Sequence, residues 1–234
     1  EIKSKIQINP SRVGKKYFVK TFGCQMNEHD SERISGMFEL DGMSKAISEE
    51  YADVLFVNTC TIRENADDKL YGTLGQLKQW KSQKDNRKLL VGGCAAQKDK
   101  ELVREKAPWV DVVIGTHNLT NVVDLLNRSE DWGPLTEIID EIETLPTEAP
   151  SIRESEYSAW VTIQIGCNNS CTFCIVPSVR GQEISRRPSD IVNEAKKLVD
   201  EGVKEITLLG QNVNSYGRDL KIEGKARPYF SQLL

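Results

Sequence analysis

The 234-residue chain is poor in histidine, with two in all, and it has no long apolar run. Nothing in it approaches the roughly 20 consecutive apolar residues that a membrane-spanning helix needs, so no membrane partner is expected. Glu1–Pro10 lacks the basic and apolar pattern of a secretory leader. There is no second C-x₂-C pair, and no histidine beside the cysteines at 167–174, to complete a structural zinc site. An acid–base dyad is equally missing. A strong positive balance is absent too: the net charge is −4 and the pI near 5.4, which argues against gripping nucleic acid by bulk field. Nucleic acid stays open as a substrate because residues 129–157 hold nine acids against one base, Arg153, leaving the rest of the chain net positive.

Hydrophobic residues make up 38% and charged residues 28%, proportions of a globular chain able to bury a core in one or two domains. Six cysteines are enough for three disulfides, yet a chain this long and regular has no need of such staples. Metal ligation in a reducing cytosol, and hence a cytoplasmic location, is the expectation.

Three of the cysteines stand in Gly166-Cys167-Asn168-Asn169-Ser170-Cys171-Thr172-Phe173-Cys174, a C-x₃-C-x₂-C run. Thiolates this close in sequence converge readily on one soft metal centre. A 4Fe–4S cluster ordinarily takes four cysteines; three leave one iron without a protein ligand, and an open iron points to an enzyme rather than to a simple electron carrier.

Upstream, apolar runs alternate with helical periodicity. Lys16–Phe22, Val54–Val57, Lys88–Val91 and Val110–Ile114 read as strands. Helices are marked by Ile34, Met37 and Phe38, by Ala66, Leu70, Leu74 and Leu77, by Leu102 and Val103, and by Leu119, Val122, Val123 and Leu126. Asp30 or Ser31 is the expected cap of the first helix. Such alternation predicts an α/β fold with a flavodoxin-like parallel sheet. Cys24, Cys60 and Cys94 each fall just past a predicted strand, and the carboxyl ends of parallel strands line one ligand-binding edge. Three thiols are thus expected to meet there, with Gly23 and the Gly92-Gly93 pair admitting a bulky group. Three buried core cysteines are the alternative.

The acidic segment 129–157, with Pro134, Pro146 and Pro150, reads as a linker containing a short strand at Leu135–Ile139. The chain accordingly divides into a domain at 1–128, the linker at 129–157 and a second domain at 158–234. In the last, Ala159–Ile165 is a strand that delivers the Cys167 loop. Ser189 is the expected cap of a helix bearing Ile191, Val192, Ala195, Leu198 and Val199, and Glu205–Leu209 is the next strand. This is the opening of a βα barrel whose chemistry lies at the strand carboxyl ends. With 84 residues from 151 onward and no initiator Met, the chain is expected to be a fragment.

The C-x₃-C-x₂-C loop resembles that of radical S-adenosylmethionine (SAM) enzymes, and the whole chain is similar to the radical-SAM methylthiotransferases. The stretches that carry the likeness are Thr21–Asn27, Asn58–Glu64, Gly93-Cys94, Gly166–Cys174, Ile175-Val176-Pro177, Arg180-Gly181 and Ser185-Arg186. The resemblance implies two 4Fe–4S clusters, an auxiliary one on Cys24, Cys60 and Cys94 and a SAM-binding one on Cys167, Cys171 and Cys174. It implies that one SAM methylates a sulfur on the auxiliary cluster, while a second is cleaved to methionine and a 5′-deoxyadenosyl radical. Leu208–Gly217 and Cys24–Asn27 are most similar to members that methylthiolate C2 of N6-dimethylallyladenosine beside the tRNA anticodon. Sister branches act on threonylcarbamoyl-adenosine or on a ribosomal-protein aspartate. The implied partners are tRNA, an electron donor of flavodoxin or ferredoxin type, and a sulfur donor.

By the same resemblance Phe173 is placed near the SAM adenine. Gln211 and Asn212 sit where a barrel puts SAM or substrate contacts, and Arg180, Arg186 and Arg187 are candidates for RNA phosphates. Two readings from other classes remain: an iron–sulfur electron carrier with closed four-ligand clusters, and a zinc-binding interaction module. The family's members complete the barrel and add an RNA-binding β-domain, and this chain shows neither.

Overall fold

The computed structural model describes residues 8–61, 66–141, 150–221, 224 and 226–234. They form two compact units: the described residues of Glu1–Asp140 and Glu148–Ile152, and those of Glu141–Thr147 and Arg153–Leu234.

The first unit is built on six parallel strands. In chain order its elements are β1 (Lys16–Thr21), α1 (Gln25–Leu40), β2 (Ser44–Lys45), β3 (Val54–Thr59), α2 (Ala66–Ser82), β4 (Lys88–Gly93), α3 (Cys94–Asp99), α4 (Leu102–Lys106), β5 (Val112–Ile114), α5 (Val122–Trp132) and β6 (Leu135–Glu137). The strand order is β2-β1-β3-β4-β5-β6, which is the flavodoxin-like order with one strand added at the edge. β3 is buried along its whole length, as its unbroken apolar run requires of a central strand covered on both faces. Alternation decides the layers. Val54 and Phe56 face one cluster with Ile34, Met37 and Phe38 of α1 and Leu125 and Leu126 of α5. Leu55 and Val57 face the other, with Leu70, Leu74 and Leu77 of α2 and Val103 of α4.

Two expectations need correction here. α1 begins at Gln25, with Cys24 at its N-cap in extended backbone (φ −105°, ψ 177°), so Asp30 and Ser31 lie inside the helix rather than capping it. The acidic segment also contributes more to the fold than a connector would. α5 runs to Trp132, and β6 pairs with β5 from Val112↔Leu135 to Ile114↔Glu137. Farther along, the Ile152 amide donates to the Glu32 carbonyl at 3.0 Å. A Cβ on Gly36 would stand 2.6 Å from the Pro150 carbonyl oxygen, so 150–152 is strapped on α1 at its glycine. Residues 142–149 of the segment lie outside those described.

The second unit contains β7 (Ser158–Thr162), β8 (Gln164–Ile165), α6 (Val176–Arg180), β9 (Ile184–Ser185), α7 (Pro188–Asp200), β10 (Glu205–Leu209) and α8 (Phe230–Leu233). β7 and β10 pair in parallel, from Glu205↔Ser158 to Leu209↔Thr162. Ala159, Val161, Ile191 and Leu198 pack between them and α7, making one βαβ step of the expected barrel. The expected strand Ala159–Ile165 breaks at Ile163, and its end turns aside to pair antiparallel with β9, Gln164↔Ser185 and Ile165↔Ile184. α7 starts with Pro188 at its first position and Arg187 as N-cap. The expected cap Ser189 lies within the helix because proline's fixed φ and missing N–H suit the first turn.

Candidate iron–sulfur and SAM sites

Cys24 follows β1 by three residues, Cys60 follows β3 directly and Cys94 follows β4 directly. β1 and β3 are adjacent and parallel, as are β3 and β4. The chain runs from β1 to β2 on one side and then crosses to β3 on the other side of β1, so the turns after β1 and β3 flank the topological switch point of the sheet, where open α/β folds bind ligands.

Buried side chains tie the three turns together. Asn27 Nδ2 donates to Asn58 Oδ1 (3.1 Å) and to the Thr59 carbonyl (2.8 Å), and Asn58 Nδ2 donates to the Asn27 carbonyl (2.8 Å) and to Ser31 Oγ (2.9 Å). Thr59 Oγ1 donates to the Gly92 carbonyl at 2.5 Å and accepts from the Ala96 amide at 3.3 Å. The β1 turn is thereby fixed to the β3 turn, and the β3 turn to the β4 turn. Sequence reasoning missed this belt, although the Asn, Ser and Thr residues packed around the strand ends were its signal. The glycines serve it as well. A Cβ on Gly93 (φ +90°) would lie 2.4 Å from Asn58 Oδ1, and one on Gly92 would lie 2.4 Å from Phe56 Cζ. The Gly92-Gly93 pair is there for strand-to-strand packing, a correction to its reading as room for a bulky group. Gly23 (φ +138°) brings its backbone against Cys60, where an added Cβ would stand 3.1 Å from the Cys60 Cβ.

Cys60 and Cys94 are buried and Cys24 is half-buried. The turns are brought together, but the thiols are not gathered: among the described residues no three His, Cys, Asp or Glu side chains are grouped to hold a metal ion. Cys24 Sγ turns instead to Asn27 Oδ1 at 3.5 Å. The donor set is three sulfurs, the chemistry a soft iron cluster takes, and Cys60 lines a cleft with Phe22, Gly23, Thr59 and Leu70. The residues fit such a group by placement and donor type. Ile62, Arg63 and Glu64 of the same motif lie outside the described residues.

In the second unit the loop from Gly166 to Cys174 leaves β8. Gly166 has φ +74°, and a Cβ there would fall 1.9 Å from the Gln182 carbonyl oxygen, so only glycine closes this loop. The Cys167 amide donates to the Gly181 carbonyl (3.2 Å), and the Cys174 amide to the Cys171 carbonyl (3.1 Å). Cys167 is buried, whereas Cys171 and Cys174 are exposed. Phe173 between them is 95% exposed, open to stacking by a flat ligand rather than packed in the loop.

Behind the loop lies a polar group the sequence did not disclose. Gln164 is fully buried; its Nε2 donates to Ser215 Oγ at 3.2 Å and its Oε1 has no hydrogen-bond partner. Ser215 Oγ lies 2.5 Å from Glu183 Oε2. The Glu183 amide donates to Asn168 Oδ1 of the cysteine loop at 3.0 Å. Just past β10, Gln211 Oε1 is buried without a partner. The Asn212 carbonyl is occupied by Ser215. These residues bring a buried carboxylate and two unsatisfied amide oxygens to neighbouring strand ends, an arrangement costly unless a donor arrives. Burial pushes the Tyr216 phenol up to about 12, keeping it the donor to the Arg186 carbonyl at 2.8 Å.

The three arginines part company. Arg186 is 5% exposed, donates to the Thr162 carbonyl at 2.8 Å and pairs with Glu194 at 2.5 Å. Its charge is committed to holding α7 on β7, which corrects its reading as a phosphate contact. Arg180 is likewise buried, in the last turn of α6. Arg187 is exposed.

Residues 16–115 match the family described as Uncharacterized protein family UPF0004, and residues 161–228 match the Radical SAM superfamily. Curated relatives named tRNA-2-methylthio-N(6)-dimethylallyladenosine synthase are 50% identical over 100% of this chain in Corynebacterium urealyticum, and 53% over 96% in Corynebacterium jeikeium. The one in Tropheryma whipplei is 56% identical over 93%. The chain is thus similar along nearly its whole length to these synthases, and it carries the UPF0004 and Radical SAM matches in that order. It spans 44%, 44% and 46% of those relatives, less than half their length. Among solved structures, the radical S-adenosylmethionine methyltransferase TsrM of Kitasatospora setae with cobalamin and a 4Fe–4S cluster bound aligns at TM-score 0.56 and 11% identity. That alignment covers 89% of this chain and 50% of that one. The same enzyme with tryptophan and aza-SAM aligns at 0.55 and 9%, over 90% and 50%. Identity this low speaks for the α/β fold alone. Among the described residues no helix is long and apolar enough to cross a membrane.

Proposed function

We propose that the chain carries the sulfur-donating domain and the first part of the radical domain of a tRNA methylthiotransferase. The reaction is conversion of N6-dimethylallyladenosine beside the anticodon to its 2-methylthio derivative. One observation carries this reading: three cysteines stand at the ends of three neighbouring parallel strands and three on one loop. The substrate rests on the names of the relatives.

Cys24, Cys60 and Cys94 would hold the auxiliary 4Fe–4S cluster, and Cys167, Cys171 and Cys174 the one that meets SAM. A cluster with three protein thiolates keeps an iron open to SAM and supplies the electron that splits it, chemistry no side chain provides. The protein's part is placement. Gln164, Glu183 and Gln211 present acceptors for N–H groups of a cationic ligand, and the Asn168 contact keeps Glu183 in step with the cysteine loop. Phe173 offers a ring face. Asn212 turns the chain after β10, and Arg187 is the arginine of the three free to approach a phosphate. An electron donor of flavodoxin or ferredoxin type and a sulfur donor complete the partners.

Anaerobic reconstitution tests the reading. About eight irons per chain, with an electron-spin signal that changes on adding SAM, is the expected result. Cys94→Ala should halve the iron and keep the SAM response, and Cys171→Ala should remove the response. Zinc in place of iron would end the proposal. Nucleoside mass spectrometry after reaction with tRNA bearing N6-dimethylallyladenosine tests the substrate; methylthiolation of threonylcarbamoyl-adenosine in its place would move the chain to the sister branch.

A further inference from the structure

α3 runs only from Cys94 to Asp99. So short a helix makes few hydrogen bonds of its own, and contacts from other segments must fix how it sits. Its first turn is held by the bond from the Ala96 amide to Thr59 Oγ1. Gln97 supplies the rest. This side chain is 2% exposed, yet both ends of its amide are used. Its Nε2 donates to the Ile139 carbonyl at 3.0 Å and to Asp140 Oδ1 at 3.4 Å. Its Oε1 accepts from the Thr116 amide at 2.9 Å and from Thr116 Oγ1 at 3.4 Å. A Cβ on Gly115 would stand 2.3 Å from that oxygen, so the turn after β5 is closed onto the glutamine.

We propose that Gln97 is the positioning residue of Cys94: it anchors α3 to the turn after β5 and to the chain leaving β6, and so fixes where the Cys94 thiol stands. Positions three apart on a helix lie on adjoining faces, so α3 cannot rotate at Cys94 without breaking the Gln97 bonds. Asn27 stands in the same relation to Cys24, three residues on at the start of α1, and ties its turn to the Cys60 turn. The inference rests on the auxiliary-cluster reading, which makes Cys94 a ligand. Groups that orient a metal ligand without touching the metal change affinity about 10–100-fold when removed.

Two variants and a control test it. Gln97→Met fills the space and removes every hydrogen bond. Gln97→Glu keeps an acceptor for the Thr116 amide but turns a carboxylate on the Ile139 carbonyl. The control, Tyr17→Phe, removes a bond from a fully buried ring to Glu39, away from α3. In the metal-free chain, N-ethylmaleimide labelling followed by peptide mass spectrometry should rise about tenfold at Cys94 relative to Cys60 in both Gln97 variants. It should keep its native ratio in Tyr17→Phe, because a loss of global stability opens both thiols together. With Cys167, Cys171 and Cys174 changed to alanine, only the first cluster can load. There Gln97→Met should lose iron to a chelator about tenfold faster and alter the electron-spin line shape of the reduced cluster. A native labelling ratio in the Gln97 variants, or native iron release and line shape, would overturn the proposal. No iron in the parent of these chains would sink the cluster reading instead, and the labelling ratio would still judge the brace without a metal.

Discussion

Asn27 and Asn58 grip each other in both directions: the Asn27 amide donates to Asn58 Oδ1 at 3.1 Å, and the Asn58 amide donates to the Asn27 carbonyl at 2.8 Å. Both residues are fully buried. One pair of side chains thus sets the turn bearing Cys24 against the turn bearing Cys60.

Truncating this pair should be costly. Asn58→Ala removes three buried hydrogen bonds, to the Asn27 carbonyl, to Ser31 Oγ and from Asn27 Nδ2, each contributing on the order of 1 kcal/mol. Urea unfolding of the first unit is expected to show a loss of about 2 kcal/mol or more. A loss within the scatter of surface substitutions would mean the belt adds no stability of its own.

Gly166→Ala sets a methyl group against the Gln182 carbonyl, at a backbone angle that already disfavours any side chain. Iron per chain should fall from about eight to about four, with the first unit's circular dichroism unchanged. Gly133→Ala has the same kind of backbone (φ +88°) but open space around it, so it should keep full iron at a cost of about 1 kcal/mol. Equal behaviour of the two variants would show that the loop tolerates the intrusion.

Arg186 and Arg187 are neighbours with opposite fates. Arg186→Ala should destabilise the second unit by about 3 kcal/mol, since it breaks a largely buried pair. Arg187→Ala should leave stability within about 0.5 kcal/mol and weaken tRNA binding measured by fluorescence anisotropy. If Arg187→Ala binds tRNA as the native chain does, that arginine is no part of an RNA surface.

Burial pushes the Asp41 carboxyl up to about 6, against the opposing pull of Arg12, whose Nε lies 3.3 Å away. The folded state therefore holds a proton that the unfolded chain releases at lower pH. The stabilisation is present at pH 4 and is lost as pH rises through 6, by on the order of 2 kcal/mol. Asp41→Asn should flatten that slope in denaturant midpoints measured from pH 4 to 7. A slope of unchanged size would assign it to other groups.

How far the sequence disclosed all this varies from element to element. β1, β3 and β4 were legible because strands covered on both faces must be apolar throughout, and the cysteines past their ends could be read off directly. The start of α1 was not. Polar Ser31, which looks like a cap, is used by Asn58 and Thr21 inside the helix, while Cys24 caps through backbone alone. Arg186 shows the same limit: an arginine beside a helix start looks like a surface charge until Glu194, eight residues on, is seen to claim it. Gln164 reads as one more strand residue until the strand is seen to break before it and bury it. Period and spacing reveal elements and strand ends; the partners of polar side chains depend on contacts between segments far apart in sequence.

Cys24, Cys60 and Cys94 also differ from Cys167, Cys171 and Cys174 in when they come into being as a set. The first three become neighbours only after β3 has paired with β1 on one side and β4 on the other. The second three lie within eight residues of chain, a loop that closes at little entropic cost before any distant segment arrives. On the proposed reading, loading the first with iron would therefore be a late event that waits on a finished sheet. The second, though made later by the ribosome, has its ligands side by side from the moment of synthesis.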